Sequence, residues 1–431
     1  MMKNKEILKY IKDTLKQKGA EKVSCFLFTS EKKELNASSG DISLLRTTVN
    51  KNINIVAYKD DKKGSIILNK VDENSIDVAV DQLIEMMNSA KPDPANDIAP
   101  FQSAKEIMHE PLSADLDQMY QRLQEFLIVA KERYPKTILE EVILDFTALK
   151  NYQTNSNGVD FVTSKGRYSF VVVFTSKEGK KTTSFNYVTH VSKDLDMPFI
   201  EFGSIDRLLK ESSEQLEPTS IEGKFVGDVI VTPESLGSFV GNVTRYISDY
   251  SLITKTSLYK DKLHQKIAHE KFNLSAKPKS GELAMGYDFT GDMFEAEDCA
   301  IIKDGVLQTF LLGLYGSNKT GFERSVNSGG SYIVDAGDTE LEEMIKSTKK
   351  GIILSRFSGG SPSNNGDFSG VAKNSYYIED GKILHPISES MVSGNVIEMF
   401  ENIRQISQEQ VDSGYYKFPW IKFGGLTISG K

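Results

Sequence analysis

The chain has 431 residues, 39% hydrophobic and 26% charged, which is typical of a globular protein of two to four domains, with three the natural number. Acidic residues outnumber basic ones 60 to 52, and this net charge of −8 argues against nucleic acid or an anionic membrane as the main partner. No apolar stretch reaches the roughly 18 residues of a membrane span, and the charged N-terminus has no apolar signal core, so we expect a cytoplasmic protein. Two cysteines, Cys25 and Cys299, are too few for a disulfide framework or a Cys-rich zinc site.

The first 95 residues predict a small α+β module. Apolar residues recur at helical spacing over 7–15 and again over 76–87, and Asp72 or Asn74 is in position to cap the second helix. The segments between the two helices alternate in polarity and predict strands at 23–28, 41–49, 52–59 and 65–68. A proline-containing stretch at 91–100 continues neither element and marks the first linker.

The next two units are a strand-rich middle domain, 110–218, and a C-terminal domain, 222–431. The middle domain starts with an amphipathic helix over 113–133 and ends with a helical segment over 201–215. Between these helices, β-branched and aromatic segments predict strands at 142–149, 158–163, 166–175 and 182–191. The C-terminal domain opens with a strand, 226–231, and a helix that Thr232 caps and Pro233 begins. We therefore expect an α+β protein, with N-terminal α+β modules built on antiparallel sheets and a C-terminal antiparallel β-rich domain with helices.

The most distinctive stretch lies near the C-terminus. A strand at 351–354 enters a Gly/Ser/Asn-rich loop, 358–366, and then a long alternating run that a turn at 379–381 folds back onto 382–387. Small residues in front of a deep hairpin allow backbone groups to approach a ligand closely. The candidate substrate-binding residues are therefore Gly359, Gly360, Gly366, Asp367, Phe368 and Ser369. The simpler alternative is that this loop only connects two strands.

Two histidines suggest a metal site that their spacing does not favour. His264 and His269 are five residues apart, about 140° around an ideal helix, whereas zinc-binding HExxH pairs are four apart. The residue after the first histidine is Gln265, which cannot act as a general base. We expect both histidines to be solvated surface residues, and His109, His190 and His385 are isolated in the sequence.

The acidic segment before Cys299 gives two further candidates. An acidic neighbourhood raises the pKa of a thiol, which is the opposite of what a nucleophile requires, so we interpret Cys299 as structural. The nearby carboxylates lack the spacing of a calcium loop, and we interpret them as a solvated turn: Asp288, Asp292, Glu295, Glu297 and Asp298. No phosphate-binding glycine pattern and no Ser/His/Asp set can be recognised. The residues alone therefore indicate no catalytic or metal-binding site.

Several segments resemble the TldD/PmbA family, bacterial and archaeal proteins once called modulators of DNA gyrase and associated with zinc-dependent peptidases. In the C-terminal domain the matching segments are GDVIVTPESLGSFVG at 227–241, LLGLYGSNKTG at 311–321 and GGSPSNNGDFSGVAKNSYYIEDGKILHPISES from 359. In the first domain SSGDISLLRTTVNKNINIVAYKDDKKGSI at 38–66 is similar to the family's N-terminal module. No single motif is diagnostic, but their order and spacing together are specific.

The resemblance also indicates which branch of the family to expect. The TldD-like branch carries HExxxH on the helix after the first strand of the C-terminal domain, and a cysteine ligand near the C-terminal Gly-rich loop. In this chain the corresponding helix, 234–246, contains no histidine, and Arg356-Phe357-Ser358-Gly359-Gly360 contains no cysteine. His264 and His269 do have the five-residue spacing of HExxxH, but they lie about twenty residues downstream of that helix. These departures favour the PmbA/TldE-like branch, which lacks the zinc ligands and forms the companion subunit.

The resemblance implies a subunit of a metallopeptidase system that acts on unstructured peptides. It implies dimers around a central cavity, no catalytic residue or metal in this chain, and a zinc ion supplied by a TldD-like partner. Extended peptide would be held mainly by strand addition. Two alternatives remain, namely a homodimeric peptide-binding protein without hydrolase activity, and a metal-independent hydrolase whose catalytic residues are not recognised here.

Overall fold

The computed structural model describes residues 3–38, 40–388 and 390–430. The first half of the chain contains four α-helices and eight strands in its described residues: α1 (Asn4–Gln17), β1 (Lys22–Ser38), β2 (Asp41–Lys59), β3 (Lys62–Leu68), α2 (Glu73–Ser89), β4 (Lys105–His109), α3 (Leu116–Arg133), β5 (Thr137–Asn155), β6 (Asp160–Glu178), β7 (Lys181–Thr182), β8 (Asn186–Ser192) and α4 (Ile205–Glu214).

These eight strands form one mainly antiparallel sheet, in the order β3-β2-β1-β5-β6-β4, with β7 and β8 also paired to β6. The predicted 41–49 and 52–59 strands are one continuous strand, β2, and the predicted 158–163 and 166–175 strands are both part of β6. Strands β1 and β5 pair over fourteen residues, from Ser24–Asn155 to Ala37–Val142. One sheet therefore joins the segments on either side of the first predicted linker.

The hydrophobic core under this sheet is divided. One cluster packs α1 and α2 against β1 and β2, and a second packs α3 and α4 against β5 and β6. Helix α2 begins where the sequence predicts, because Asp72 accepts a hydrogen bond from the backbone N–H of Ser75. Helix α2 therefore has Asp72, one of its two candidate caps, as its N-cap. Helix α3 begins at Leu116, three residues after the predicted start, where Asp115 accepts a hydrogen bond from the N–H of Gln118.

The second half contains five helices and thirteen strands in its described residues: β9 (Lys224–Val231), α5 (Pro233–Tyr246), α6 (Asp249–Ile253), β10 (Leu274–Ala276), β11 (Cys299–Lys303), β12 (Val306–Leu307), α7 (Leu314–Thr320), β13 (Tyr332–Val334), α8 (Leu341–Lys346), β14 (Lys350–Leu354), β15 (Arg356–Ser358), β16 (Asp367–Lys373), β17 (Ser375–Glu379), β18 (Lys382–Ile387), β19 (Ser390–Asn395), α9 (Val396–Glu401), β20 (Ile403–Asp412) and β21 (Tyr416–Ser429). The strands form a mixed sheet in which β21 pairs with β9, β13, β19 and β20. Helix α5 follows β9 directly and buries Leu236, Phe239, Val240 and Val243 in the largest core cluster. The α+β prediction is confirmed.

The distinctive C-terminal stretch differs from the prediction in one respect. The alternating run is interrupted at Asn374, which has a positive φ of 52°, so β16 and β17 are separate strands with different neighbours. Strand β16 pairs with β15 and β19, whereas β17 turns at Asp380 and Gly381 onto β18. Asparagine tolerates the left-handed region better than most residues, which places the break at this position. The predicted turn at 379–381 and its return strand are confirmed.

None of the helices in the described part of the chain is both long enough and apolar enough to cross a membrane.

Candidate functional site

A groove runs between the two halves of the molecule, with helix α5 as its floor. Its narrower arm is a cavity of about 310 Å³ between β8 and β15, and its wider arm is a cavity of about 590 Å³ bordered by β21. The two cavities share four lining residues: Glu234, Ser238, Tyr415 and Tyr416. We call this continuous cleft the domain groove.

The narrow arm of the domain groove lies between two sheet edges. Among the described strands, β8 pairs only with β6 and β15 pairs only with β16, so each has one edge without a strand partner. The segments 186–189 and 355–359 line the arm from opposite sides. The guanidinium of Arg356 crosses it, donating to the carbonyl of Phe185 and lying 4.2 Å from the centre of that ring. An extended chain placed here would meet backbone donors and acceptors on both walls.

The wide arm of the domain groove is aromatic. Tyr416 stacks on Phe418 with ring centroids 4.5 Å apart, and Tyr415 lies edge-on to Tyr416 at 4.8 Å. Tyr287 accepts a hydrogen bond from the N–H of Ser328 and donates one to a backbone carbonyl, and burial raises its pKa to about 12. All these rings are neutral near pH 7 and give a surface that contacts apolar side chains while their hydroxyls stay polar.

A half-buried ionic cluster lies beneath the point where the two arms meet. Arg207 of α4 donates to Glu211 at 2.8 Å and to Glu234 of α5 at 2.7 Å, and its guanidinium lies 5.4 Å from the ring of Trp420. Burial raises the pKa of the Glu234 carboxyl, but Arg207 and the hydroxyl of Ser204 outweigh burial and hold that pKa below its ordinary value. This cluster joins the first half of the chain to the floor of the domain groove.

The residues that face the groove do not fit a zinc ion. Helix α5 presents Glu234, Gly237, Ser238 and Gly241 to the wide arm. Zinc in proteins is held by thiolate, imidazole or carboxylate ligands, and of these four residues only Glu234 is such a ligand. Its Oε1 atom is occupied by Arg207 and Ser204. Within residues 3–38, 40–388 and 390–430, no group of three or more His, Cys, Asp or Glu side chains is arranged to hold a metal.

Three of the six predicted binding residues, Gly359, Gly360 and Gly366, belong to the glycine-rich loop, and only Gly359 lines the groove. Gly359 lines the narrow arm, at a φ of 78° with open space where a Cβ would stand. Gly360 instead packs against strand β16, so that a Cβ there would lie 2.4 Å from the carbonyl oxygen of Ser369. The loop thus combines a groove-lining residue with one that fixes the loop to the sheet.

The other predicted residues lie along the start of β16. Asp367 accepts hydrogen bonds from Asn395 and Asn365, which lower its pKa, while the ring of Phe368 is buried against Phe239. Gly366 has a φ of 92°, and exposed Ser369 pairs with Ser393 of β19. The structure places these residues together at one strand end, and none of them lines the groove cavities. Their role in binding substrate stays a prediction.

The histidine pair does not lie on a helix. His264 has a φ of 61°, and His269 accepts a hydrogen bond at its Nδ1 from the N–H of Lys271. The segment that holds them connects α6 to β10 by turns. A comparison based on helical spacing therefore does not apply to these two residues.

The acidic residues of 288–298 are engaged with cations or backbone donors. Asp288 contacts His109 and Lys279, Asp292 contacts Arg324, Glu295 contacts Lys105, and Asp298 accepts from the N–H of Lys279. Only Asp288 is fully buried, so the interpretation of this segment as a solvated turn is wrong for that residue. Cys299 is half-buried, accepts a hydrogen bond from Asn327, and has its pKa raised first by burial.

Sequence reasoning missed the residues that form the groove. Tyr187, Tyr287, Tyr415 and Tyr416 carry no recognisable motif and come from distant parts of the chain. The adjacent tyrosines after Gly414 are the one local signal, since large aromatic side chains next to a turn often line binding surfaces.

With this geometry in view, the chain can be compared with known proteins. Residues 223–430 match the PmbA/TldA metallopeptidase C-terminal domain. A metalloprotease PmbA homolog of Haemophilus influenzae is 21% identical over 394 residues, 88% of this chain and 85% of that protein. A metalloprotease PmbA homolog of Buchnera aphidicola (subsp. Acyrthosiphon pisum) is 30% identical over 186 residues, but this match spans only 42% of the chain and 41% of the relative. The chain is therefore similar to the TldD/PmbA family, most specifically over its C-terminal half.

Solved structures share the whole fold at low sequence identity. TldE from Thermococcus kodakarensis superposes with a TM-score of 0.83 at 18% identity, covering 98% of this chain and all of the other. A candidate modulator of DNA gyrase from Bacteroides thetaiotaomicron gives a TM-score of 0.85 at 21% identity, with 99% of each chain covered. The fold described above is therefore shared with these structures over nearly its whole length.

Proposed function

We propose that this chain is a cytoplasmic, PmbA/TldE-like subunit of a metallopeptidase system, and that it holds unstructured peptide without a zinc site of its own. The observation that carries the proposal is the chemistry of helix α5. Its groove-facing residues are Glu234, Gly237, Ser238 and Gly241, and the one carboxylate among them is ion-paired to Arg207. A zinc hydrolase needs about three protein ligands and a general base near the metal, and this floor supplies neither.

Peptide binding is supported by the two arms of the domain groove. In the narrow arm, the edges of β8 and β15 offer main-chain hydrogen bonds that do not depend on peptide sequence. In the wide arm, Tyr287, Tyr415 and Tyr416 offer contacts to apolar side chains. Such a groove would accept many extended peptides and would reject a folded domain.

The zinc ion would come from a TldD-like relative that assembles with this chain. This arrangement is what the resemblance to the TldD/PmbA family implies. The proposal therefore treats hydrolysis as a property of the assembly, with the domain groove delivering peptide to the partner's metal.

Co-purification from the native host, followed by zinc and peptidase assays, tests the proposal. We expect a zinc-containing partner to co-purify, the complex to cleave casein with sensitivity to a chelator, and the isolated chain to hold no stoichiometric zinc. His264→Ala should leave the metal content unchanged, and stoichiometric zinc lost in that variant would refute the metal-free assignment.

Two other outcomes correspond to the alternative functions. A homodimer that binds peptide, with no zinc-bearing partner in the native host, would replace the subunit assignment with that of a peptide-binding protein. Cleavage by the isolated chain that a chelator does not inhibit would instead indicate a metal-independent hydrolase.

A further inference from the structure

A third cavity, of about 400 Å³, is separate from the two arms of the domain groove and adjoins the wide arm at Tyr287. It forms where β4 and β6 of the first sheet meet the loop 277–288 of the second half. Three lysines line it, one from each of three separate segments: Lys165 on β6, Lys193 after β8 and Lys279 in the loop. We call it the lysine pocket.

Two lysines of the pocket are each fixed by one hydrogen bond and keep further N–H donors available. Lys165 Nζ donates to the carbonyl of Gly286 at 2.6 Å, and Lys193 Nζ donates to that of Gly281 at 2.7 Å. An ammonium group has three N–H donors. In the part of the chain that the structure describes, each of these two groups makes only that one hydrogen bond, so each has two donors available for a ligand.

The charged residues that line the lysine pocket favour a ligand with a single negative charge. Two carboxylates, Asp288 and Glu110, offset two of the three lysines, and the imidazole of His109 lies 2.9 Å from Asp288. Counting only these lysines and carboxylates, the excess is one positive charge. A carboxylate carries one negative charge, whereas phosphate groups carry nearer two at neutral pH.

The lysine pocket and the domain groove share a wall. Tyr287 lines both cavities, and along the same segment Met285 faces the groove while Gly286 lines the pocket. The pocket also has apolar lining from Met108, Pro278 and Leu283, enough to receive one small or apolar side chain beside the lysines. The two cavities therefore lie on either side of the segment 285–287.

We propose that the lysine pocket binds the C-terminal carboxylate of a peptide whose preceding residues occupy the domain groove. The proposal rests on the peptide-holding function given above and narrows its substrate class to peptides with a free C-terminus. Charge-assisted hydrogen bonds from Lys165 and Lys193 recognise the carboxylate, and the apolar lining contacts the last side chain.

The pocket is tested alone with N-acetyl-leucine and N-acetyl-leucinamide, titrated against the full chain by ligand-observed NMR. We expect the acid to bind at least about tenfold more tightly than the amide. Lys165→Gln and Lys193→Gln should each abolish most of that preference, and exposed Lys303→Gln is the control that should not. Lys193 is itself exposed, so its variant keeps the test valid if Lys165→Gln does not fold.

The link to the groove is tested with a pool of unstructured ten-residue peptides, prepared as free acids and as C-terminal amides. Preferential capture of the acids, lost in Lys193→Gln, supports the proposal. Peptide capture with no preference for the acids would overturn the carboxylate pocket and leave the peptide-holding function intact. Capture of neither form would overturn both, and displacement of N-acetyl-leucine by an equal concentration of inorganic phosphate would overturn the match to a single negative charge.

Discussion

Arg207 is the residue whose removal should do most damage around the domain groove. Arg207→Met keeps an apolar stem against Trp420 but leaves Glu211 and Glu234 without their cation. Their side chains are only 17% and 20% exposed, so water replaces the lost partner poorly. Breaking a fully buried pair costs about 3–5 kcal/mol, and because a fifth of each carboxylate is exposed we expect about 3 kcal/mol, near the lower end of that range.

Urea denaturation followed by fluorescence measures this loss directly, because Trp420 is the single tryptophan and lies beside Arg207. The free energy of unfolding falls by about 2 kcal/mol per M of urea, so a loss of about 3 kcal/mol should lower the urea midpoint by roughly 1.5 M. The matched control is Arg133→Met, which removes an arginine paired to Asp206 at the surface, where both side chains are about half exposed. That variant should cost under about 1 kcal/mol.

A double variant and the pH dependence of stability test the same ionic cluster. Adding Glu234→Gln to Arg207→Met should recover part of the loss, because one unpaired buried charge disappears. In the native chain the pKa of Glu234 lies below its ordinary value, so its stabilising contribution is present above about pH 4.3 and is lost as the pH falls further. The gap between Arg207→Met and the native chain should therefore narrow toward pH 4. The reasoning fails if Arg207→Met costs no more than Arg133→Met, or if the double variant is less stable than the single one.

Three further predictions concern the loop, the groove and the lysine pocket. Gly360→Ala should destabilise the chain by about 2 kcal/mol more than Gly359→Ala, because both residues have positive φ but only a Cβ at 360 would clash with backbone; equal urea midpoints would contradict this. Tyr415→Ala should weaken peptide binding about three- to tenfold in a fluorescence-anisotropy titration while leaving the urea midpoint nearly unchanged, as Tyr415 is 37% exposed. Burial, opposed by Asp288, lowers the pKa of Lys165 to about 8, so binding of N-acetyl-leucine should weaken as the pH rises from 7 to 9, and Lys165→Gln should flatten that profile.

Local sequence signals predicted helices α1 to α5 and the long strands of the first sheet because the forces that set them act over a few residues. The cap at Asp72 and the apolar spacing that follows it lie within one or two helical turns. Thr232 does stand at the N-cap position of α5, but its side chain makes no capping hydrogen bond. The pairing of β1 with β5 could not be predicted in this way, since it joins Ser24 to Asn155 across more than a hundred residues. Alternating polarity shows that a strand has a buried face but does not show which strand lies beside it.

The candidate site was less predictable than the fold. Its glycine-rich loop stands out locally, but the groove is made where Tyr187, Tyr287 and Tyr415 converge from three distant segments. Exposed tyrosines are common, and only their convergence distinguishes these three. The buried cluster of Arg207 with Glu234 was hidden for the same reason, since each residue alone reads as a solvated helical charge.

The ionic cluster bears directly on the proposal that this chain holds peptide without cleaving it. Glu234 is the only carboxylate that α5 presents to the groove, and a general base must be free to accept a proton. Arg207 and Ser204 instead hold that carboxylate ionised and hydrogen-bonded, with its pKa below the range useful near pH 7. The surrounding surface consists of strand edges, neutral tyrosines and serine hydroxyls, and the described residues that line it include no histidine or cysteine. This division of properties supports a subunit that holds peptide while a zinc-bearing partner cleaves it.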